Sequence, residues 1–250
     1  MEVHHHSHTE RKKWTHYFWE FLMLFLAVTL GFLVENQREH YVEHFREKQY
    51  VKSLYDDFKV DTFTIQRTYK EKKWALAKLD SLQKILRSGE IEKNNELVYY
   101  FEKFLTIKDV FTSQDVTYKQ LLSSGNLRYF KDLDLYKKIA NYYNLYSRYQ
   151  ELAEGSFGNV SELAEVESNL FDAGDLNSLN DSSGAIFYGL IKRPDRKFHL
   201  ININKKNLNF LLIKTGNAYY ATNASAKFLV WLKKYADEIV DFIKKEYHLE

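Results

Sequence analysis

The most apolar stretch of the chain is YFWEFLMLFLAVTLGFLV, residues 17–34, whose 18 residues include one charge, Glu20. Crossing a bilayer takes a helix of about 20 apolar residues. The run is apolar on every face, whereas the core helix of a soluble domain keeps a polar side. It exceeds the apolar region of a cleaved signal peptide, about 7–15 residues, and no A-x-A cleavage site follows. We therefore predict an uncleaved transmembrane helix over 17–35, with a buried core helix as the alternative.

Past the apolar run, apolar residues recur every three or four positions as far as Leu86, and neither Pro nor Gly interrupts residues 35–88. This spacing predicts a stalk or long helix over 36–89 that continues the transmembrane helix. Gly89, directly after Arg87 and Ser88, is a typical helix stop. Because strict heptads are not sustained, the stripe favours the core face of a bundle over a free coiled coil.

Residues 90–250 are predicted to form an all-α extracytoplasmic domain. The same periodicity indicates helices near 94–108, 113–124, 161–171 and 208–247, and one that begins after Asp132, a good N-cap. The last stretch is either one helix or two stacked helices broken near Gly216. Strands are expected, if anywhere, near 185–203, where the pattern fits a short β-hairpin and short helices equally.

An acidic connection over 150–184 is expected to form a solvated loop around one short helix. Lys and Arg are absent from it, while acidic residues and Gly, Ser and Asn are frequent. Calcium binding is disfavoured because the EF-hand order D-x-[DN]-x-[DN]-G does not occur.

The orientation of the predicted span follows from the basic residues beside it. Arg11, Lys12 and Lys13 precede the apolar run, whereas the basic residues after it are scattered. Positive residues favour the cytoplasmic side, and a long domain crosses the membrane largely regardless of its charge. We therefore expect a bacterial inner-membrane protein in which residues 1–16 form a cytoplasmic arm and the large domain is periplasmic.

One face of the predicted span carries small and polar residues. Glu20, Ala27 and Gly31 share one side of the helix, together with His16, Leu24 and Glu35. Ala27 and Gly31 form a small-xxx-small pair that permits close helix packing. Glu20 either extends toward the headgroups beside His16 or faces a partner helix; a proton-carrying role is the least favoured alternative.

Composition narrows the possible functions. Lys plus Arg number 36 and Asp plus Glu 34, so no strong basic excess indicates a nucleic-acid partner. The chain has one Pro, nine Gly and no Cys, which favours helices and excludes disulfides and thiolate metal sites. P-loop, dinucleotide-binding, nucleophile-elbow and H-E-x-x-H motifs do not occur, so we expect a non-enzyme with no catalytic residues and no cofactor.

A histidine cluster precedes the basic triplet. His4, His5, His6 and His8 could bind a divalent metal, since positions 4 and 8 share a face if the arm is helical. A metal site also needs a third ligand and supporting hydrogen bonds, and neither is evident from the sequence. The favoured interpretation is a polar arm beside the lipid headgroups, with a metal role as the alternative.

The N-terminal third resembles a family of uncharacterised bacterial envelope proteins with one N-terminal membrane span. The resemblance rests on VHHHSHTERKKWTHYFWEFLMLFLAVTLGFLVENQREH and REKQYVKSLYDDFKVDT, and more loosely on TYKQLLSSGNLRYFKDLDLYKKIANYY at 117–143. It implies a native histidine-rich arm and a single-span topology, but no activity.

The favoured function is therefore that of a structural or interaction subunit of the envelope. Its expected partners are membrane lipid and either a second copy of the chain or another inner-membrane protein. Two alternatives remain open: a sensor whose tyrosine-rich bundle binds a small ligand, for example at Tyr142, Tyr143 and Tyr146, and a metal-responsive protein that uses the N-terminal histidines.

Overall fold

The structure is a computed structural model, and it describes residues 13–105, 110–130, 132–155, 160–179, 191 and 193–249. Helices take up 85% of this part of the chain, and no residue in it belongs to a strand. The prediction of an all-α fold is therefore confirmed.

Helix α1 spans Trp14–Ser88 and is the longest element, with 75 residues. Gly31 is the one glycine within α1, and the absence of Pro and Gly from residues 35–88 explains why the helix continues as far as Ser88. Gly89 follows with φ of +74°, a conformation that costs glycine little and ends the helix. The predictions of a continuous helix and of its stop at Gly89 are both confirmed.

Three shorter helices follow: α2 spans Asn95–Glu102, α3 spans Val116–Ser123 and α4 spans Leu133–Gly155. Short 3-10 turns occupy Ile91–Asn94, Lys103–Leu105 and Asn126–Tyr129. Gly125 ends α3 with φ of +66°. As predicted, the Asp132 carboxylate caps α4 and accepts hydrogen bonds from the backbone N–H groups of Asp134 (2.9 Å) and Leu135 (3.0 Å).

The acidic connection is more ordered than we predicted. Helix α5 spans Val160–Leu170 and α6 spans Ala173–Ser178, capped by Asp172, whose carboxylate accepts a hydrogen bond from the Asp175 N–H. Their apolar residues are buried in the core, including Val166, Leu170 and Leu176. The predicted short helix over 161–171 is therefore confirmed as α5. The expectation of a solvated loop is wrong for 172–179, where α6 forms and the side chains of Leu176 and Leu179 are buried.

Helix α7 spans Lys205–Tyr247 without a break and begins at an N-cap, Asn204, whose side chain accepts from the Asn207 N–H. Gly216 lies inside it, with open space where a Cβ would be. Of the predicted hairpin, residues 193–203 form no strand; Leu200 makes an isolated antiparallel bridge to Phe171. The other half, 185–190, lies outside the described residues.

The chain divides into two compact units, Met1–Tyr50 and Val51–Glu250, and the division falls inside α1. In the second unit, α7 packs against α4 and α5. The 51–88 part of α1 contributes fully buried residues to the core, among them Leu54, Phe58, Ile65 and Leu79. Much of the segment predicted as a stalk is therefore a core helix of the second unit, as its apolar stripe indicated.

Candidate membrane interface and buried carboxyl groups

The apolar part of α1 is uncovered. An 18-residue window of this helix near the N-terminus has a mean hydropathy of 2.0, and none of it is buried. Phe21, Met23, Leu24 and Phe32 each expose about two thirds of their surface. Within the described residues this is the one helix long and apolar enough to cross a membrane. The prediction of a helix long and apolar enough to cross a membrane is confirmed.

Aromatic side chains gather where this segment begins. Trp14, Tyr17 and Trp19 are exposed, and Trp14 stacks on Phe18 with ring centroids 6.0 Å apart. Tryptophan and tyrosine favour the boundary between lipid and water, because the ring is apolar and one edge can donate a hydrogen bond. This arrangement is typical of aromatic residues at one end of a membrane-spanning helix.

The small and polar face predicted from the sequence is present on α1. The Glu20 carboxylate lies 3.1 Å from Nε2 of His16, one helical turn away. Ala27 and Gly31 are exposed, and a Cβ at Gly31 would meet nothing within 4 Å. The face is therefore open to a neighbouring helix, and its role in packing remains a prediction.

The other predicted site residues lie at the edge of the described region or outside it. Lys13 is exposed directly before α1, and its carbonyl accepts a hydrogen bond from the His16 N–H at 2.8 Å. Arg11, Lys12 and the histidines His4, His5, His6 and His8 lie outside the described residues. Among the residues that are described, no group of three metal-ligating side chains occurs.

The second unit contains a buried carboxylate that the sequence reasoning missed. Asp61 of α1 is 1% exposed and accepts hydrogen bonds from the Tyr142 hydroxyl (2.6 Å), the Gln114 N–H (2.7 Å) and the Ser113 hydroxyl. Burial raises the pKa of Asp61, and these three hydrogen bonds oppose the increase because they stabilise the charged form. Asp61 thus joins α1, α4 and the segment before α3.

Tyrosines of α4 satisfy the backbone of the same segment. The Tyr149 and Tyr146 hydroxyls accept hydrogen bonds from the N–H groups of Phe111 (2.9 Å) and Ser113 (3.1 Å), and the Tyr143 hydroxyl donates to the Gln114 carbonyl (3.1 Å). Burial raises the pKa of Tyr142 and Tyr143, and the Asp61 charge raises both further. These tyrosines are engaged inside the protein, which disfavours ligand stacking by Tyr142, Tyr143 and Tyr146.

A second buried carboxyl group, Glu102 at the end of α2, is 0% exposed, and neither of its oxygens has a hydrogen-bond partner among the described residues. Burial raises its pKa well above the ordinary value, and the neighbouring Glu167 of α5 raises it further. The sequence does carry a signal for both buried acids. Asp61 falls between Phe58 and Ile65 on the apolar stripe of α1, and Glu102 falls beside Val98 and Tyr99.

A groove of about 400 Å³ lies in the second unit between α1 and α7. Ile65, Tyr69 and Leu229 line it, together with Lys233 and Asp237, which pair with each other at 2.6 Å. These two charges neutralise each other within α7.

No protein-family model, no curated protein and no solved structure matches this chain. The functional conclusion therefore depends on the exposed apolar segment of α1 and on the chemistry of the side chains around it.

Proposed function

We propose that the chain is a non-enzymatic, single-span envelope protein that acts as a structural or interaction subunit in the bacterial inner membrane. The observation that carries the proposal is the apolar segment of α1, none of which is buried. Leaving about 18 residues of this composition in water is costly, since each fully buried Leu or Phe side chain gains roughly 1.5–3 kcal/mol. A bilayer removes that cost, and every backbone polar group is already satisfied within the helix.

The proposed topology places the N-terminus in the cytoplasm and the second unit in the periplasm. Lys13 at the start of α1 and the preceding Arg11 and Lys12 support it through the positive-inside rule. The sequence resemblance to single-span bacterial envelope proteins supports the same arrangement, and we include membership of that family in the proposal. Neither a nucleic acid nor a cofactor is part of it.

The proposed interaction face consists of Glu20, Ala27 and Gly31. Ala27 and Gly31 are small and exposed, so a second helix can approach the α1 backbone closely there. The partner is a second copy of the chain or another inner-membrane protein. Lipid contacts cover the remaining faces of the span.

Membrane anchoring is tested with the double substitution Leu24→Arg and Leu26→Arg. Two arginines near the middle of the span add about 5–7 kcal/mol to the cost of insertion. We expect the wild-type chain to remain with the membranes after alkaline carbonate washing and the double variant to be released. The matched control is Leu122→Arg with Leu133→Arg, at two exposed leucines of the second unit, and it should remain membrane-bound. A double variant retained as firmly as wild type would contradict the proposal.

The topology and the packing face need separate measurements. A C-terminal alkaline phosphatase fusion should be active and a C-terminal fluorescent-protein fusion dark if the second unit is periplasmic.

The packing face is tested by substitution. Gly31→Leu should weaken association in a membrane-helix dimerisation assay. Thr29→Leu, on the opposite side of α1, should not. Equal association of the two variants would exclude this face, without bearing on membrane anchoring.

A further inference from the structure

Helix α2 contacts the residues that directly follow α5 through an aromatic contact and a hydrogen bond. The Tyr99 ring of α2 packs edge-on against Phe171, the residue after α5, with centroids 4.8 Å apart. The Tyr99 hydroxyl accepts a hydrogen bond from the Asp172 N–H at 2.7 Å and donates one to the His199 carbonyl at 2.9 Å. Phe171 is 2% exposed, so this end of the contact excludes water.

The same faces continue toward two carboxyl groups. Glu102 lies three residues after Tyr99 on α2, and Glu167 lies four residues before Phe171 on α5, so each shares a helix face with its aromatic neighbour. Glu102 is fully buried, and neither of its oxygens has a hydrogen-bond partner among the described residues. Glu167 is half-buried and close enough to act on the Glu102 carboxyl group. A bare carboxylate in such a place is strongly disfavoured, since burying an unpaired charge costs several kcal/mol.

The charges around Glu102 do not compensate for its burial. Burial raises the pKa of Glu102 most, Glu167 raises it further, and Lys103 lowers it by a smaller amount. Among the residues that the structure describes, no charged group of α1 or α7 acts on it. One proton on the pair would remove the unpaired charge from Glu102, as when two carboxyl groups share one site.

We propose that Glu102 and Glu167 form a proton-dependent latch between α2 and α5, which holds α5 in place while the pair retains one proton. When both carboxyl groups are ionised, they repel each other, and the Glu102 carboxylate is more stable when it is hydrated. Both effects favour release of α5. Release exposes Glu102 to solvent and leaves the rest of the second unit folded. The latch is independent of the proposed membrane function.

The sign of the pH dependence follows from the direction of the shift. A glutamate titrates near 4.5 when unperturbed, and the folded protein raises that pKa. At pH values between the two, the closed latch holds a proton that the open form has released. Opening therefore becomes easier as pH rises, and the protection of α5 falls.

The test is hydrogen exchange of the full chain in mild detergent, followed by mass spectrometry between about pH 5 and about pH 8. After correction for the intrinsic exchange rate, we expect protection of α5 peptides to fall at least about tenfold in wild type, the equivalent of one pKa unit. Peptides from α7 should change much less. Loss of protection in α5 and α7 together would indicate global unfolding and overturn the latch.

Glu102→Gln removes the ionisation and keeps the shape, so α5 should stay protected over the whole pH range. Glu167→Gln should act in the same direction, and it provides the test if Glu102→Gln does not fold. Glu165→Gln changes an exposed residue of the same helix and should match wild type. Equal pH profiles for wild type and the Glu102 and Glu167 variants would refute the proposal.

Discussion

The two units of the chain depart from the usual distribution of polar and apolar residues in opposite ways. In Met1–Tyr50, large apolar side chains such as Leu24 and Phe32 are exposed. In Val51–Glu250, the carboxyl groups of Asp61 and Glu102 are buried. In the proposed function, a lipid bilayer removes the cost of the first departure, because an apolar helix surface is stable in lipid. The second is resolved within the protein, by hydrogen bonds for Asp61 and by a retained proton for Glu102.

The comparison shows that a charged residue cannot be interpreted from its type alone. Glu20 lies in the most apolar stretch of sequence yet is exposed and close to His16. Glu102 lies in a unit rich in charge yet reaches no water. The packing around a side chain determines its environment. Three predictions test this difference between the two units.

The largest effect is expected for Asp61→Ala. The substitution leaves the Tyr142 hydroxyl, the Gln114 N–H and the Ser113 hydroxyl buried without their acceptor. We expect the free energy of unfolding of the second unit to fall by about 3–5 kcal/mol, because each orphaned buried donor costs about 1–3 kcal/mol. Urea unfolding of the full chain in detergent, followed by near-UV circular dichroism, measures the change. Asp61→Asn keeps one acceptor oxygen and should lose less; equal losses would show that hydrogen bonding is not the cause.

The second prediction compares a leucine-to-alanine substitution in each of the two units. Leu79→Ala removes a fully buried side chain and should lower the free energy of unfolding by about 2–5 kcal/mol through the cavity it leaves. Leu24→Ala, at a side chain that is 67% exposed, should change the same quantity by less than about 0.5 kcal/mol. The same unfolding experiment measures both. A large loss for Leu24→Ala would mean that the apolar segment packs against protein instead of lipid.

The smallest effect concerns two helical glycines. A Cβ meets nothing within 4 Å at Gly216 or at Gly31. Gly216→Ala should raise the free energy of unfolding of the second unit by about 0.5–1 kcal/mol, because alanine loses less backbone freedom in a helix. Gly31→Ala should leave that value unchanged in the same assay. Stabilisation by both variants would indicate that the two units unfold as one.

The parts of this fold that the sequence predicts well are those set by local rules. Gly89 and Gly125 end helices, Asp132 begins one, and the unbroken apolar run of α1 forms a helix, all from interactions within a few residues. Helix α6 and the burial of Phe171 and Leu176 were missed, because their contacts join residues far apart in the chain. The acidic composition of 150–184 predicted a segment exposed to solvent. A few apolar side chains instead bury one side of this segment against the core.

The buried carboxyl groups were missed for a related reason. The position of Asp61 on an apolar stripe is visible in the sequence, but its partners come from residues 113, 114 and 142. Those contacts depend on how α1 and α4 pack, which local periodicity does not specify. Glu102 is harder still, since its pKa depends first on its burial and then on another acid, Glu167, 65 positions later.

The hydroxyl groups of α4 give a reason for tyrosine instead of phenylalanine in this core. Residues 110–115 form neither helix nor strand, and Phe111 and Ser113 of this segment are buried. Their backbone N–H groups therefore need partners from another backbone segment, from side chains or from water. Here Tyr143, Tyr146 and Tyr149 supply the missing partners from a helix. One face of α4 therefore provides the hydrogen-bond partners that the edge of a β-sheet would provide. Phenylalanine at these positions would conserve side-chain volume but leave the N–H groups of Phe111 and Ser113 and the Gln114 carbonyl without these partners.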